Sequence, residues 1–385
     1  MKVTGDWLTA PATQAVCAML ETDSHQALFV GGCVRNALLG APVNDIDIST
    51  DARPERVMAL AKAAGLKAIP TGIEHGTITV VSGGIPHEIT TFRRDVETDG
   101  RRAVVAFSDH VEDDAHRRDF TMNALYARSD GTVVDPLGGL ADLEARRLRF
   151  IDVAEERIRE DYLRILRYFR FHAYYGDSDE GMDPEALAAI AATIEGIASL
   201  SKERIGTEMV KLMGAPDPAP AVAAMRSTGA LAAVLEGADD RALAPLVHLE
   251  ALAGLSPDPM RRLAALGGQQ VADALRLSKK SARQLETLRN GVESTESPNA
   301  LGYHHGADLG RSIVLLRAAL LEMPLMPDAL DAVVAGAEAE CPIRPSDLIG
   351  RFQGAALGQT LKQLETRWID SQFTLTKADL LASLD

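Results

Sequence analysis

Alternating hydrophobic and polar positions characterise the first part of the chain. The run Asp45-Ile46-Asp47-Ile48 alternates strictly, which predicts a strand with both aspartates on one face. Two further strands are predicted over residues 77–82 and 85–92, joined by a hairpin turn at Gly83-Gly84. Residues 1–145 are therefore expected to form a small α+β domain.

From residue 146 onward, the hydrophobic spacing becomes helical. Gly, Pro and Asp clusters separate segments rich in Ala, Leu and Arg. The predicted helices cover residues 155–175, 184–197, 202–213, 218–235, 241–253, 259–275, 279–292, 307–322 and 327–339. This second part is expected to be all-α, without a repeat of fixed period.

Length and charge narrow the possible classes of protein. A chain of 385 residues with 46% hydrophobic residues is expected to fill more than one domain core. The net charge of −15 disfavours nucleic-acid binding, because phosphate neutralisation needs a basic surface. Net charge does not determine local charge, however, and an acidic protein can carry a basic groove.

Targeting and cysteine patterns exclude several alternatives. A run of about 18 apolar residues is missing, and the N-terminus lacks a signal-peptide pattern, so we expect a cytoplasmic protein without membrane association. Cys17, Cys33 and Cys341 are widely separated and form no Cys-x-x-Cys pair. This spacing argues against a zinc site and against a disulfide framework.

The two aspartates lie shortly after a glycine turn, Gly31-Gly32, and a short helix that ends at Gly40. Mg²⁺ typically binds between one or two carboxylates and substrate phosphates. The pattern therefore favours phosphoryl or nucleotidyl transfer, although two aspartates on a solvated edge strand would look the same. Glu88 could add a third carboxylate if Ile89 faces the core, or it could be an ordinary surface residue.

The pattern Gly-Gly-x-Val-Arg-x-x-Leu-Leu-Gly over residues 31–40, followed by Asp-x-Asp, resembles the catalytic signature of the class II tRNA nucleotidyltransferase and bacterial poly(A) polymerase family. The resemblance covers roughly residues 28–212. It departs at Asn36, where the family usually has Asp, and an amide there can still hydrogen-bond a turn but carries no charge.

The resemblance implies a polymerase beta-like nucleotidyltransferase head with a small mixed sheet, followed by an all-α neck, body and tail. The expected boundaries are 1–145 for the head, 146–214 for the neck and 215–385 for an RNA-binding body and tail. It also implies two Mg²⁺ ions on Asp45 and Asp47, and a triphosphate held by Gly32 and Arg35.

Residues 93–105 are highly charged, contain one glycine and show no helical or strand period, so a solvent-exposed loop is expected. The segment is similar to the flexible loop of CCA-adding members of the family. As a charge run alone, it would be an ordinary solvated surface.

A second motif, Arg117-Arg118-Asp119-Phe120-Thr121-Met122-Asn123, combines two guanidinium donors suited to phosphate with two side chains that could reach ribose hydroxyls. Asp119 and Asn123 would face the same way if this segment were helical. The segment is similar to the family's ribose-recognition motif, although a salt-bridged helix start would also explain it.

The third motif, Glu160-Asp161-x-x-Arg164, places a carboxylate and a guanidinium on one predicted helix, with Glu160 able to pair with Arg164. It resembles the family's nucleotide-selecting motif. Cytosine and adenine both present an amino donor beside a ring-nitrogen acceptor, which Asp161 and Arg164 would satisfy. Uracil and guanine would leave both side chains mismatched, at about 1–3 kcal/mol each. An ordinary ion pair is the alternative.

Basic residues beyond this motif are candidates for contacts with phosphate. Arg167 and Arg170 continue the same helix and suit the triphosphate or primer phosphates. Candidates for RNA binding are Lys202, Arg204, Lys211, Arg276, Lys279, Lys280 and Arg283.

These patterns together predict an enzyme that adds C, C and A to the 3′ end of tRNA from CTP and ATP. The alternatives are a bacterial poly(A) polymerase, which the acidic charge disfavours, and an inactive RNA-binding relative, which has no need for the paired aspartates.

Overall fold

The computed structural model describes residues 1–99, 102–177 and 179–384. The chain divides into two compact units. The first comprises Met1–Glu208 with Pro220–Val234, and the second comprises Met209–Ala219 with Leu235–Asp385. The nine strands of the described residues all belong to the first unit. The predicted α+β class, with a mixed sheet followed by helices, is confirmed.

A seven-stranded mixed sheet forms the centre of the first unit, in the order β3-β4-β5-β2-β1-β8-β9. Strands β2 and β5 run parallel, and every other neighbouring pair in this sheet is antiparallel. The nine strands are β1 Leu28–Val30, β2 Asp47–Thr50, β3 Lys67–Gly72, β4 Thr77–Ser82, β5 Ile85–Thr91, β6 Arg93–Asp99, β7 Arg102–Phe107, β8 Tyr126–Arg128 and β9 Val133–Val134.

The predicted hairpin between β4 and β5 is confirmed. Gly83 and Gly84 have φ angles of 57° and 80°, and a tight two-residue turn with positive φ at both positions matches the twist of the flanking strands. On these strands Ile78 and Ile89 are fully buried, while Glu88 is exposed. The alternation therefore places Glu88 on the opposite face from Ile89, as predicted.

Strand β2 is shorter than the sequence pattern predicted, because it begins at Asp47 and leaves Asp45 in the preceding segment. Of the two neighbours of β2, the parallel strand β5 continues past this point to Ile85, whereas the antiparallel strand β1 does not. Strand β1 ends at Val30, and its pairing with β2 reaches only Phe29 opposite Ile48. Beyond Val30 the chain turns away at Gly31, so the residues before Asp47 have no antiparallel neighbour. The prediction that both aspartates lie on one strand was therefore wrong for Asp45.

Residues 93–105 do not form the predicted loop. Strands β6 and β7 pair antiparallel from Arg93 opposite Phe107 to Asp99 opposite Arg102. The positions between them, 100 and 101, lie outside the described residues. The run Ala103-Val104-Val105-Ala106-Phe107 supplies strand-forming residues as the partner for the charged segment. A charged strand is stable as one side of such a ribbon, which its composition alone did not indicate.

Helices make up most of the remaining chain. Those before residue 150 are α1 Asp6–Thr9, α2 Pro11–Glu21, α3 Gly32–Leu38, α4 Pro54–Ala63, α5 Val111–His116 and α6 Gly139–Glu144. Those after it are α7 Ala154–Glu160, α8 Leu163–Tyr175, α9 Pro184–Thr193, α10 Lys202–Met213, α11 Ala219–Thr228, α12 Ala230–Val234, α13 Leu243–Leu252, α14 Pro259–Leu266, α15 Val271–Ala274, α16 Lys279–Glu293, α17 Pro298–Leu320, α18 Ala329–Glu338, α19 Gly354–Asp370 and α20 Lys377–Ala382.

The second unit has its own apolar core and one buried charge cluster. Leu364, Trp368 and Leu380 are almost fully buried in that core. Glu250 accepts hydrogen bonds from both Arg261 and Arg262 at 2.7 to 3.0 Å. No helix among the described residues is long and apolar enough to cross a membrane.

Candidate active site

Two carboxylates meet at one end of the parallel strand pair. Asp47 on β2 lies opposite Glu88 on β5 in the strand register. Ile48 and Ile89, the next residues on each strand, are buried in the core, so both acidic side chains are directed to the other face. Asp45 precedes the strand and is exposed. The structure thus brings the predicted third carboxylate, Glu88, beside Asp47.

Negative charge is concentrated around Asp47. Burial raises the pKa of the Asp47 carboxyl to about 6, with further contributions from the charges of Glu88 and Asp45, while Arg118 acts in the opposite direction. No three His, Cys, Asp or Glu side chains of the described ranges converge to hold a single metal ion. Asp47 and Glu88 nevertheless lie opposite each other on adjacent strands. Such a pair fits Mg²⁺, which commonly binds one or two carboxylates and completes its coordination with phosphates and water.

The acidic pair lies in a pocket of about 190 Å³ that is also lined by three arginines and by neutral residues. Arg93, Arg117 and Arg118 line it together with Asp47 and Glu88. A site that combines carboxylates with several guanidinium groups suits a ligand that carries both a metal ion and phosphates.

The glycine turn adjoins this pocket because β1 ends at Val30, which lines it. Gly31 has a φ angle of 69°, in the left-handed region that favours glycine. A Cβ atom at Gly31 would lie 3.4 Å from Nη1 of Arg118, and one at Gly32 would lie 3.9 Å from Nη2 of Arg35. The turn therefore passes between two guanidinium groups, where side chains at these positions would crowd a bound anion.

Arg118 is oriented by Asp114, a residue that the sequence analysis did not select. Asp114 is fully buried and accepts hydrogen bonds from Arg117 at 2.8 Å, Arg118 at 3.0 Å and the Tyr126 hydroxyl at 2.8 Å. Burial alone would raise the pKa of Asp114, but the two arginines and Tyr126 hold it well below its usual range. The i,i+3 and i,i+4 spacing of Asp114 to these arginines was the available sequence signal.

The segment that contains Asp119 and Asn123 is not a helix, contrary to the prediction. Helix α5 ends at His116, Phe120 is extended, and residues 121–123 form one 3₁₀ turn. The two side chains still meet, because Asn123 Nδ2 donates to Asp119 at 2.9 Å. The backbone of Phe120 and Nε of Arg167 also donate to Asp119, at 2.9 and 2.8 Å. Burial would raise the pKa of Asp119, but Arg167 and Asn123 lower it to about 2.

Arg35 belongs to the same network and is only 6% exposed. Its guanidinium donates to Asn123, to Asn36 and to the Tyr175 hydroxyl. Asn36 in turn donates to the carbonyl of Pro42 at 2.9 Å, so the amide stabilises the turn after α3, as its chemistry predicted.

Asp161 and Arg164 do not lie on one continuous helix. Helix α7 ends before Asp161, which has extended backbone angles, and α8 begins at Leu163. Asp161 accepts from the backbone of Leu163 at 3.1 Å and from Arg204 at 2.7 Å. Arg164 pairs with Glu160 at 2.7 Å, as the spacing predicted, and its guanidinium also donates to two backbone carbonyls. The two predicted base-selecting residues are therefore close in sequence but held by different partners.

The remaining basic candidates differ in their surroundings. Arg167 pairs with Asp119 and Arg170 with Glu208, and both guanidinium groups lie over the Phe171 ring. Arg204 donates to Asp161, and its role in RNA binding stays a prediction. Lys202 and Lys211 are exposed on α10. The other candidates are exposed at or just before the start of α16, namely Arg276, Lys279, Lys280 and Arg283.

The fold and this site define a polymerase-type head joined to helices. Residues 27–149 match the poly A polymerase head domain, and residues 181–241 match the probable RNA- and SrmB-binding site of polymerase A. Both matches agree with the resemblance to class II tRNA nucleotidyltransferases and bacterial poly(A) polymerases that the motifs indicated.

Two curated relatives illustrate the similarity. The chain is 43% identical over 192 residues to the human mitochondrial CCA tRNA nucleotidyltransferase 1, a match that covers 50% of this chain and 44% of the relative. It is 40% identical over 223 residues to the CCA-adding enzyme of Geobacillus thermodenitrificans, covering 57% and 54%. The chain thus spans about half the length of the curated relatives it matches.

Solved structures extend the likeness over almost the whole chain. The CCA-adding enzyme of Bacillus stearothermophilus in complex with CTP is 28% identical with a TM-score of 0.69, covering 94% of this chain and 93% of that one. The Thermotoga maritima CCA-adding enzyme complexed with tRNA has a TM-score of 0.71 at 18% identity, which shows a shared fold.

Proposed function

We propose that this protein adds C, C and A to the 3′ end of tRNA without a template, using CTP and ATP and releasing pyrophosphate. The observation that carries the proposal is the register of Asp47 with Glu88, in a pocket that Arg118 and the glycine turn border. Similarity to CCA-adding enzymes supports tRNA as the substrate. The 3′ hydroxyl forms a bond to the α-phosphorus, the bond to the β-phosphate oxygen breaks, and the hydroxyl proton is released to water.

The carboxylates supply the metal site in this proposal. Asp45 and Asp47 would hold two Mg²⁺ ions, with Glu88 as the third acidic group. Burial and the charges of Glu88 and Asp45 raise the pKa of Asp47, and a bound cation would relieve this concentration of negative charge. Bound Mg²⁺ lowers the pKa of an attacking hydroxyl and neutralises a leaving pyrophosphate.

The protein side chains bind the nucleotide around this acidic pair. Arg118 and Arg35 flank Gly31 and Gly32, and they bind the triphosphate there. Asp119 and Asn123 form a preorganised pair for the ribose hydroxyls, and Arg167 holds Asp119 in place. Preorganisation matters because side chains that are already oriented lose less entropy when the nucleotide binds.

Base selection is assigned to Asp161 and Arg164. Asp161 uses one oxygen for Arg204 and the other for the Leu163 backbone, which fixes the carboxylate plane and leaves further lone pairs as acceptors for an exocyclic amino group. Arg164 is oriented by Glu160 in the same way. Arg170 lies on α8 with Arg164 and, paired with Glu208, assists in phosphate binding.

The test is nucleotide addition to tRNA transcripts that end at the discriminator base, after the first C, or after both C residues. The proposal expects two cytidines from CTP alone, one adenosine from ATP only on the transcript that ends in CC, and no addition from UTP or GTP. Long adenosine tails on any RNA would instead identify a poly(A) polymerase. RNA binding without any pyrophosphate release would identify an inactive relative.

A further inference from the structure

Arg35 is held by an aromatic residue from a different part of the first unit. Its guanidinium carbon lies 3.9 Å from the centroid of the Tyr175 ring, and Nη2 donates to the Tyr175 hydroxyl at 2.9 Å. Tyr175 is the last residue of α8, whereas Arg35 lies on α3 directly after the glycine turn. We propose that Tyr175 is a positioning residue, which holds Arg35 in the orientation that binds the nucleotide triphosphate. This inference rests on the proposed function.

The charge balance around Arg35 points to an anionic ligand. Among the described residues, its hydrogen-bond acceptors are Asn36, Asn123 and Tyr175, and all three are neutral. A buried cation is costly without a counter-charge, and burial lowers the pKa of Arg35 accordingly. The site therefore stores a positive charge that a phosphate would neutralise.

Two neighbouring arginines add to the positive charge around Arg35. Arg35, Arg167 and Arg170 all have their guanidinium carbons within 4.4 to 5.2 Å of the Phe171 ring centroid. Arg167 forms an ion pair with Asp119, and Arg170 forms one with Glu208. Among these three guanidinium groups, Arg35 alone forms no ion pair with a described residue, although the charge of Asp119 acts on it at longer range.

The hydrogen bonds of Arg35 also leave capacity for a ligand. A guanidinium has five N–H groups, and the described residues engage four of them, two through Asn36 and one each through Asn123 and Tyr175. Nη2 donates both of its hydrogens, to Asn36 and to Tyr175, so the remaining N–H belongs to Nη1. Nη2 would be 3.9 Å from a Cβ atom at Gly32, which places the guanidinium beside the turn. Tyr175 contributes both a ring face and a hydroxyl, and losing the ring should release the guanidinium from this orientation.

The experiment measures binding of inorganic pyrophosphate and of CTP, each with Mg²⁺, by calorimetry on the full chain without tRNA. Tyr175→Leu removes the ring and the hydroxyl and is expected to weaken both ligands about tenfold, in the range of a desolvated cation–π contact. Tyr175→Phe keeps the ring and is expected to weaken them about threefold. Tyr303→Leu, which removes a ring and a hydrogen-bonded hydroxyl from the second unit, is the matched control and should bind like the unmodified protein.

A double-variant cycle distinguishes positioning from general damage. If Tyr175 acts through Arg35, Tyr175→Leu combined with Arg35→Gln should bind no more weakly than Arg35→Gln alone. In turnover assays, Tyr175→Leu should raise KM for CTP more than it lowers kcat. Additive losses in the cycle, or pyrophosphate binding by Tyr175→Phe equal to that of the unmodified protein, would overturn the inference.

The binding assay also separates this inference from the proposed function. A protein that binds CTP and pyrophosphate with the expected dependence on Tyr175 but transfers nothing to tRNA would contradict the proposed function alone. If Tyr175→Leu does not fold, as judged by circular dichroism, the result for Tyr175→Phe decides the matter.

Discussion

Arg204 donates a hydrogen bond to Asp161 at 2.7 Å, across 43 positions of sequence. Both side chains are about one quarter exposed, so the pair lies at the edge of the protein interior. This contact assigns Arg204 to the orientation of the proposed base-selecting carboxylate.

The first prediction follows from that contact. Arg204→Ala should free the Asp161 carboxylate to rotate, and the preference for CTP over UTP should fall about tenfold, a loss of one charge-assisted hydrogen bond. The measurement is relative kcat/KM for the four nucleotides on tRNA that lacks its 3′ end. Lys202→Ala, an exposed change on the same helix, serves as the control. An unchanged preference in Arg204→Ala would mean that the pair is only structural.

The second prediction concerns Arg164. Arg164→Ala should lower the rate and also reduce discrimination against UTP and GTP, because it removes the guanidinium proposed to meet the ring nitrogen of cytosine or adenine. Since Arg164 also donates to the backbone of Arg117 and Arg157, some loss of thermal stability is expected as well. If Arg164→Ala lowered kcat/KM by the same factor for all four nucleotides, Arg164 would be a residue that binds phosphate or supports the fold.

The third prediction tests the acidic cluster. Asp47→Asn should lower the rate by several orders of magnitude with both CTP and ATP, because a group proposed to bind metal is lost at the reacting phosphate. Glu88→Gln should have a smaller effect in the same direction. Glu74→Gln, an exposed glutamate on the same unit, is the control. EDTA should abolish activity, and Mg²⁺ should restore it; turnover of Asp47→Asn close to that of the unmodified protein would contradict the assignment.

The fourth prediction concerns the ribbon of β6 and β7. Replacing residues 95–104 with a short Gly-Ser link leaves Arg93, which lines the acidic pocket, in place. Cytidine addition should remain largely intact while the final adenosine addition is impaired, if the ribbon is needed only when the site changes its nucleotide preference. Gel analysis of the products distinguishes the two steps. Equal loss of both additions would show that the ribbon merely supports the head.

The fifth prediction uses Asp114. Because its pKa is lowered in the folded state, its ion pairs contribute stability that is present above the unfolded pKa of about 4 and is lost as the pH falls below it. Asp114→Asn should lower the free energy of unfolding near pH 7 by about 3 kcal/mol, since it breaks a buried pair. As the pH is lowered, the free energy of unfolding of the variant should also decrease less than that of the unmodified protein. Urea unfolding between pH 3 and 7 measures both effects, and Asp109→Asn, at an exposed pair, is the control. If the free energy of unfolding fell equally between pH 7 and pH 3 in Asp114→Asn and Asp109→Asn, this account would be contradicted.

Local patterns in the sequence were enough to predict β4, β5, the hairpin that joins them, part of β2 and the motifs of this protein. The alternation around Asp47, Ile48, Glu88 and Ile89 was sufficient to predict which side chains face the core and which face the site. Turn chemistry at Gly83-Gly84 was equally local, because positive φ is a property of single residues. The pairing of Arg164 with Glu160 was expected from their i, i+4 spacing, although the structure forms it across the break between α7 and α8.

Only the tertiary structure decided where elements stop and which distant residues meet. Strand β2 begins at Asp47 because its neighbour ends at Val30, and the spacing of the aspartates contains no information on the length of that neighbour. The contacts Arg204–Asp161 and Tyr175–Arg35 join residues 43 and 140 positions apart. Such partners are determined by how whole elements pack, since the preferences of a residue and its close neighbours extend only over a turn or a strand.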